Sequence, residues 1–183
     1  VRLDEGAIGA IGAIGAVTQH LILFLKDHQF STAQATRFAS GVLIASLAGR
    51  VIVGYFADRY SKKNVMALFY LVLGLAIPLL YLAPNQLALW SFVAVFGFAM
   101  GAAYMLIPLV TAECFGLAAL GKLLALIIMG YSLGQWFAPW LAGRIFDTYG
   151  SYDLAWTIMA GAGLIGAATI YLISTPRDLQ PRV

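Results

Sequence analysis

Apolar residues run along this chain in six long stretches, separated by short clusters of polar and charged residues. The stretches are approximately Ala7–Leu25, Phe38–Ala57, Val65–Leu82, Leu87–Val110, Leu123–Ile145 and Leu154–Ile173. Each is close to the ~20 residues that a helix needs to cross the hydrocarbon of a bilayer. The breaks carry charge or turn chemistry. A polar break over Lys26–Ser31 follows the first stretch, a knot of charge over Asp58–Lys63 the second, and the turn Ala83-Pro84-Asn85-Gln86 the third. A polar-leaning linker from Thr111 to Lys122 and a loop from Phe146 to Asp153 separate the rest. The alternation of a membrane β-barrel is absent. The pattern predicts an all-α membrane protein, a single bundle over 1–183 of six transmembrane helices.

Composition agrees. The chain is 62% hydrophobic and 10% charged, against about 25% charged in soluble domains. Its net charge of +3 sits in the breaks rather than along one face, so nucleic acid is not an expected partner and the lipid bilayer is. One cysteine, Cys114, excludes an internal disulfide. The start of the chain lacks the pattern of a signal peptide, and Val1 in place of a Met points to a fragment or a processed chain. Lysine and arginine accumulate on cytoplasmic sides. With the Asp58–Lys63 knot inside, seven basic residues share its side, three (Lys26, Arg37, Arg144) lie opposite, and Arg50 is within the membrane. Both termini are then cytoplasmic, in a multi-pass cell-membrane protein, a bacterial inner membrane being the expected one.

The spans repeat. Gly54-x-x-x-Asp58-x-Tyr60 closes the second and Gly143-x-x-x-Asp147-x-Tyr149 the fifth, 89 residues apart. This predicts two three-helix repeats, 7–82 and 87–173. Three crossings per copy make them inverted, an arrangement typical of transporters. The first span also holds Gly6-Ala-Ile-Gly9-Ala-Ile-Gly12-Ala-Ile-Gly15. At 3.6 residues per turn its glycines drift around the helix instead of holding one face. It reads as low-complexity filler more readily than as a close-packing seam.

Arg50 stands out, because an arginine at mid-membrane costs about 2.5–3.5 kcal/mol on insertion scales and needs an anion or a cavity. Its guanidinium can grip a carboxylate through two parallel hydrogen bonds. Ser46, one turn earlier, falls on the same helical face. Tyr131 and Gln135 share a face one turn apart, and these two and Tyr104 could offer donors to an anion. His20 ends the first span and could touch substrate or titrate. Trp90, Trp136, Trp140 and Trp156 suit anchoring and packing, and Glu113 a loop ion pair. Enzyme readings fail. Gly130-Tyr-Ser132-Leu-Gly134 matches a nucleophile elbow, but that elbow needs a strand-to-helix turn, and it lies within an apolar span. No metal-ligand cluster or phosphate loop occurs, so no metal or cofactor is expected.

The residues Gly54-Tyr-Phe-Ala-Asp58-Arg59-Tyr-Ser-Lys62-Lys63 resemble the loop signature of the major facilitator superfamily: glycine, three residues, Asp-Arg, then paired basic residues. His20-Leu-Ile-Leu-Phe-Leu-Lys-Asp27-His-Gln-Phe30-Ser31, Asp147-Thr-Tyr-Gly150-Ser151-Tyr152, and Arg50 placed eight residues before Asp58, resemble its monocarboxylate and oxalate/formate porter branch. The resemblance spans about Thr18–Ile173 and implies the carboxy-terminal half of a twelve-helix transporter. It implies secondary transport of a small organic anion, a monocarboxylate, by symport, with Arg50 in the substrate site. It also implies a cytoplasmic gate made by Gly54, Asp58, Arg59, Lys62 and Lys63. The partner would be the missing amino-terminal six-helix half or a second copy of the chain. Ser46 stands where some members of the branch carry an aspartate, and the region around Tyr131 lacks the lysine of the oxalate type. Proton coupling and dicarboxylate specificity therefore find no support in this half. The competing readings are a non-transporting truncated or designed membrane bundle and a drug exporter of the same superfamily.

Overall fold

The computed structural model describes residues 2–118 and 120–172. They form six α-helices: α1 (Arg2–Asp27), α2 (Thr32–Arg59), α3 (Lys62–Ala76), α4 (Gln86–Phe115), α5 (Leu120–Tyr149) and α6 (Asp153–Leu172). With the 3₁₀ turn Ile77–Leu82 that continues α3, all six are long and apolar enough to cross a membrane. No strand occurs among the described residues. The tail cations Arg177 and Arg182, and Ile173 at the end of the last predicted span, lie outside them.

Helix ends follow local chemistry. α2 begins six residues before the predicted span because Ser31 makes a reciprocal cap. Its hydroxyl accepts from Gln34 N at 3.2 Å, and Gln34 Oε1 accepts from Ser31 N at 3.0 Å. Asn85 starts α4 by accepting from the backbone N–H groups of Leu87 and Ala88. Pro78 brings no N–H to the ladder, and the chain tightens there from α-helix to 3₁₀. The loops predicted over Thr111–Lys122 and Phe146–Asp153 are shorter than their polarity suggests. α4 runs to Phe115 and ends at Gly116 (φ +76°); α5 runs to Tyr149 and ends at Gly150 (φ +69°). Both glycines hold the left-handed conformation that side chains resist.

The packing has a two-fold pattern. α2 lies along α4 as α5 lies along α1; α1 meets α6 as α4 meets α3; and α3 meets α6. Exchanging α1–α3 for α4–α6 leaves this scheme unchanged. Glycines mark the crossings at the same 89-residue spacing. Gly12 lies against Gly134 O of α5 and Gly101 against Ser46 O of α2; Gly74 and Gly163 face each other where α3 crosses α6. A Cβ added at Gly163 would sit 2.9 Å from Gly74 Cα, and one at Gly101 would collide with the α2 backbone. Lipid tails are as apolar as side chains, so helices in a membrane associate through such close van der Waals fits.

The glycine-rich start of α1 is part of this packing rather than filler. Every residue from Ala10 to Val17 is buried. Gly9 faces Ala162 of α6, while Gly12 and Gly15 face Gly134 and Gln135 of α5. A three-residue period that drifts around the helix suits a helix enclosed by neighbours. α2 and α5, by contrast, carry large apolar side chains on outward faces, among them Leu43, Leu47, Val51, Leu133, Trp136 and Trp140.

Candidate functional site

The site forms where α2, α4 and α5 converge. Arg50 is exposed on the flank of α2, next to Gly49, whose missing side chain lets α2 approach the Phe98 carbonyl of α4. That approach carries the guanidinium over the Tyr104 ring, with Cζ 5.9 Å from the ring centroid. A cation over an aromatic face gains electrostatically, and the edge of the guanidinium fork remains open. Gln135 reaches the same tyrosine from α5 and donates through Nε2 to the Tyr104 hydroxyl at 2.5 Å. Its own position is set by α1, because Gly15 leaves room for Gln135 Cα and Cγ. The Tyr104 oxygen thus accepts from Gln135 and keeps its own proton to donate. The arrangement presents two kinds of donor, a cationic fork and a phenol, to an acceptor-rich anion.

Of the predicted site residues, the structure brings Arg50, Tyr104 and Gln135 together. Tyr131, one turn before Gln135, is half-buried against the core and within electrostatic reach of Tyr104. Ser46 does not join them. It is 3% exposed in the α2–α4 contact, and its hydroxyl donates to Leu43 O of its own helix. Four residues turn a helix 400°, so Ser46 is rotated about 40° from Arg50, and that rotation carries it under α4. Tyr70 was not anticipated. It is fully buried, within electrostatic reach of Tyr104 and Tyr131, and its hydroxyl makes no hydrogen bond to a described residue. An unpaired hydroxyl is costly in a dry interior. The sequence signal was only a tyrosine on a helix otherwise nearly all apolar.

His20 belongs to a different cluster. Nε2 lies 3.0 Å from Pro139 O and Nδ1 3.1 Å from the Tyr152 hydroxyl. A carbonyl only accepts, so Nε2 carries the proton and Nδ1 accepts from Tyr152. Burial, then the carboxylates of Asp27 and Asp147, pushes the Tyr152 phenol above its ordinary range, which keeps it a donor. Tyr152 stacks between Phe146 and Trp156, with Phe24 edge-on. With both ring nitrogens occupied, His20 ties α1 to α5 and the α5–α6 loop and does not reach the Arg50 group. Gly143 accommodates its ring; a Cβ there would sit 3.6 Å from Cε1.

The charge knot lies at the opposite end of the bundle. Lys62 Nζ is 3.8 Å from Glu113 Oε2, linking the start of α3 to the end of α4, and Lys63 is 8% exposed. Arg59 folds back over the Tyr55 ring, 4.3 Å from its centroid, and Asp58 is exposed on the last turn of α2. Gly54 has Met105 as its neighbour. The predicted ion pair of Glu113 is therefore present. Ser132 lies inside α5 with its hydroxyl donated to Ile128 O. Among the described residues no three His, Cys, Asp or Glu side chains gather as metal ligands would.

Comparison with known proteins extends this picture. The family model described as Major Facilitator Superfamily matches residues 6–182. Monocarboxylate transporter 12 of Homo sapiens is 29% identical over 147 residues, 76% of this chain and 28% of its own length. The MFS transporter asaE of Aspergillus flavus is 30% identical over 131 residues, 71% of this chain and 29% of its own. The inward-open xylose transporter XylE from E. coli superposes with a TM-score of 0.71 at 17% identity, over 97% of this chain and 47% of that one. At that identity the likeness is one of fold. The chain thus spans under a third of the length of these curated relatives and about half of the solved transporter.

Proposed function

The chain belongs to the Major Facilitator Superfamily, and on that premise we propose that it is the carboxy-terminal half of a secondary transporter for a small organic anion, a monocarboxylate. The observation that carries this reading is Arg50, exposed on α2 above Tyr104 with Gln135 behind. A carboxylate would take the guanidinium fork through two charge-assisted hydrogen bonds, and the Tyr104 proton would supply a third. The repeats 7–82 and 87–173 would rock as one body against a second six-helix half, an amino-terminal partner or another copy, around this site. The apolar outward face of α5, and Leu43 and Leu47 on the Arg50 side of α2, suit such a partner. The protein is multi-pass in the membrane; seven basic residues against three favour cytoplasmic termini. Lys62, Lys63, Asp58, Arg59 and Gly54 would close the cytoplasmic side, with the Lys62–Glu113 pair as the closing contact.

The test is uptake of radiolabelled short carboxylates into proteoliposomes, with the chain alone and with an amino-terminal half supplied. Uptake in either format that Arg50→Ala abolishes is the expected result. Carboxylate uptake with unchanged affinity in Arg50→Ala would overturn the anion site. Uptake of cationic or neutral drugs instead would make the chain part of an exporter.

A further inference from the structure

A groove of ≈ 950 Å³ runs between α2 and α4 at the end of the bundle that holds the α1–α2 loop. It is graded. At its mouth the α2 wall carries Thr32, Thr36, Arg37 and Ser40; deeper it carries Ile44 and Ala45, with Val93 and Ala94 of α4 opposite. From Thr32 to Ala45 the wall is about 20 Å long, enough to pass from a headgroup region well into one leaflet, whose hydrocarbon is about 15 Å deep. Trp90 stands at the mouth in the place of an interfacial anchor, its ring 4.9 Å from Phe38. Gly41 lets α2 close on Trp90 and Val93 and forms the seam between the two walls.

The groove is separate from the anion site. Gly41 and Arg50 are nine residues apart, so at about 100° per residue they stand half a turn apart on α2. Arg50 looks toward Tyr104, while the groove opens on the opposite flank. Arg37 is exposed there and makes no ion pair with a described residue. One cation and three hydroxyls above an apolar trough match the chemistry of one molecule, an amphiphile with an anionic head and an alkyl tail.

We propose that the α2–α4 groove binds an anionic phospholipid, its phosphate held by Arg37 and one acyl chain laid along Ile44, Ala45 and Ala94. The headgroup hydroxyls would meet Thr36 and Ser40. Thr36 already donates to Thr32 O at 2.8 Å and would act there as an acceptor.

Native mass spectrometry of the full chain, released from detergent after exposure to equal amounts of phosphatidylglycerol and phosphatidylcholine, tests this. The unmodified chain is expected to retain phosphatidylglycerol in preference. Arg37→Gln removes a contact between a basic side chain and an anionic head, and its phosphatidylglycerol-bound fraction should fall about fivefold, with the preference lost. Ala94→Trp fills the trough and should lower retention of both lipids. Arg144→Gln removes an exposed arginine from α5 near the same end and should change neither. Lipid retention unmoved by Arg37→Gln or by Ala94→Trp overturns the assignment. So does an equal loss in Arg144→Gln, which would mark a diffuse charge effect. A dimer that Ala94→Trp dissociates, with lipid retention unaltered, would give the groove to a second copy of the chain and overturn it too.

Discussion

The α2–α4 and α1–α5 pairs are built alike and have diverged in chemistry. In each, a glycine of the enclosed helix, Gly101 or Gly12, lies against the backbone of the outer one. At the 89-residue spacing, Arg50 of α2 corresponds to Pro139 of α5, and Ser46 to Gln135. In one pair the first position carries the exposed cation and the second is buried under the neighbouring helix. In the other the first position is the proline whose carbonyl His20 grips, and the second sends its amide to the site. The repeat supplies a frame twice; the Arg50–Tyr104–Gln135 cluster is made once, by using equivalent positions differently.

Enlarging the glycines should break the comparison most severely. Gly101→Val drives a side chain into the Ser46 carbonyl and is expected to cost about 3 kcal/mol or more, the top of the usual overpacking range. Gly12→Val meets Gly134 O at 3.0 Å and Ala138 Cβ at 3.3 Å, a looser fit, and should cost about 1–2 kcal/mol. Unfolding in mixed micelles would measure both; equal costs would mean that the two pairs are equally tight. Arg50→Ala is comparable with Gly101→Val in size, expected to weaken carboxylate binding by roughly 2–5 kcal/mol, read by isothermal titration with an amino-terminal half supplied. His20→Ala removes two hydrogen bonds and should cost about 1–3 kcal/mol of stability with little change in carboxylate affinity. A large affinity loss would put His20 back in the site. Tyr104→Phe keeps the ring beneath Arg50 and removes the phenol donor, so binding should weaken by about 1 kcal/mol. Gly121→Ala, with nothing near its Cβ position, should be neutral or stabilise α5 by up to about 1 kcal/mol, visible as an unchanged or raised melting temperature.

Much of this architecture is legible in the sequence. Six spans and their breaks are written in local polarity, and Arg50 declared itself because a charge at mid-membrane is expensive. What was not legible depends on neighbours. The i, i+4 rule placed Ser46 beside Arg50 but could not say that α4 covers one and not the other. The glycine repeat of α1 looked like filler because helical periodicity assumes one buried face, and from Ala10 to Val17 α1 has no exposed one. Tyr70 gave only the signal of a tyrosine in an apolar span, since the burial of its hydroxyl is set by neighbours distant in sequence. His20 was placed at the correct end of its span, but Pro139 and Tyr152 lie 119 and 132 residues away in sequence.

The meeting of Gly74 with Gly163 has a consequence for how this fold can change. Where Gly12 meets Gly134 and Gly101 meets Ser46, a residue touches one unlike it in the repeat. On the two-fold axis, a position touches its own equivalent, as in the isologous contact of a homodimer. Had two separate three-helix chains paired this way, one substitution would have struck the contact from both sides at once. Fusion into a single polypeptide removes that coupling of identity: either glycine can now vary alone. It leaves the constraint of volume, since a Cβ at Gly163 would sit 2.9 Å from Gly74 Cα and one at Gly74 would sit 3.0 Å from Ala160 O and Leu164 N. The centre of the bundle retains the constraint of a symmetric dimer while its flanks have diverged.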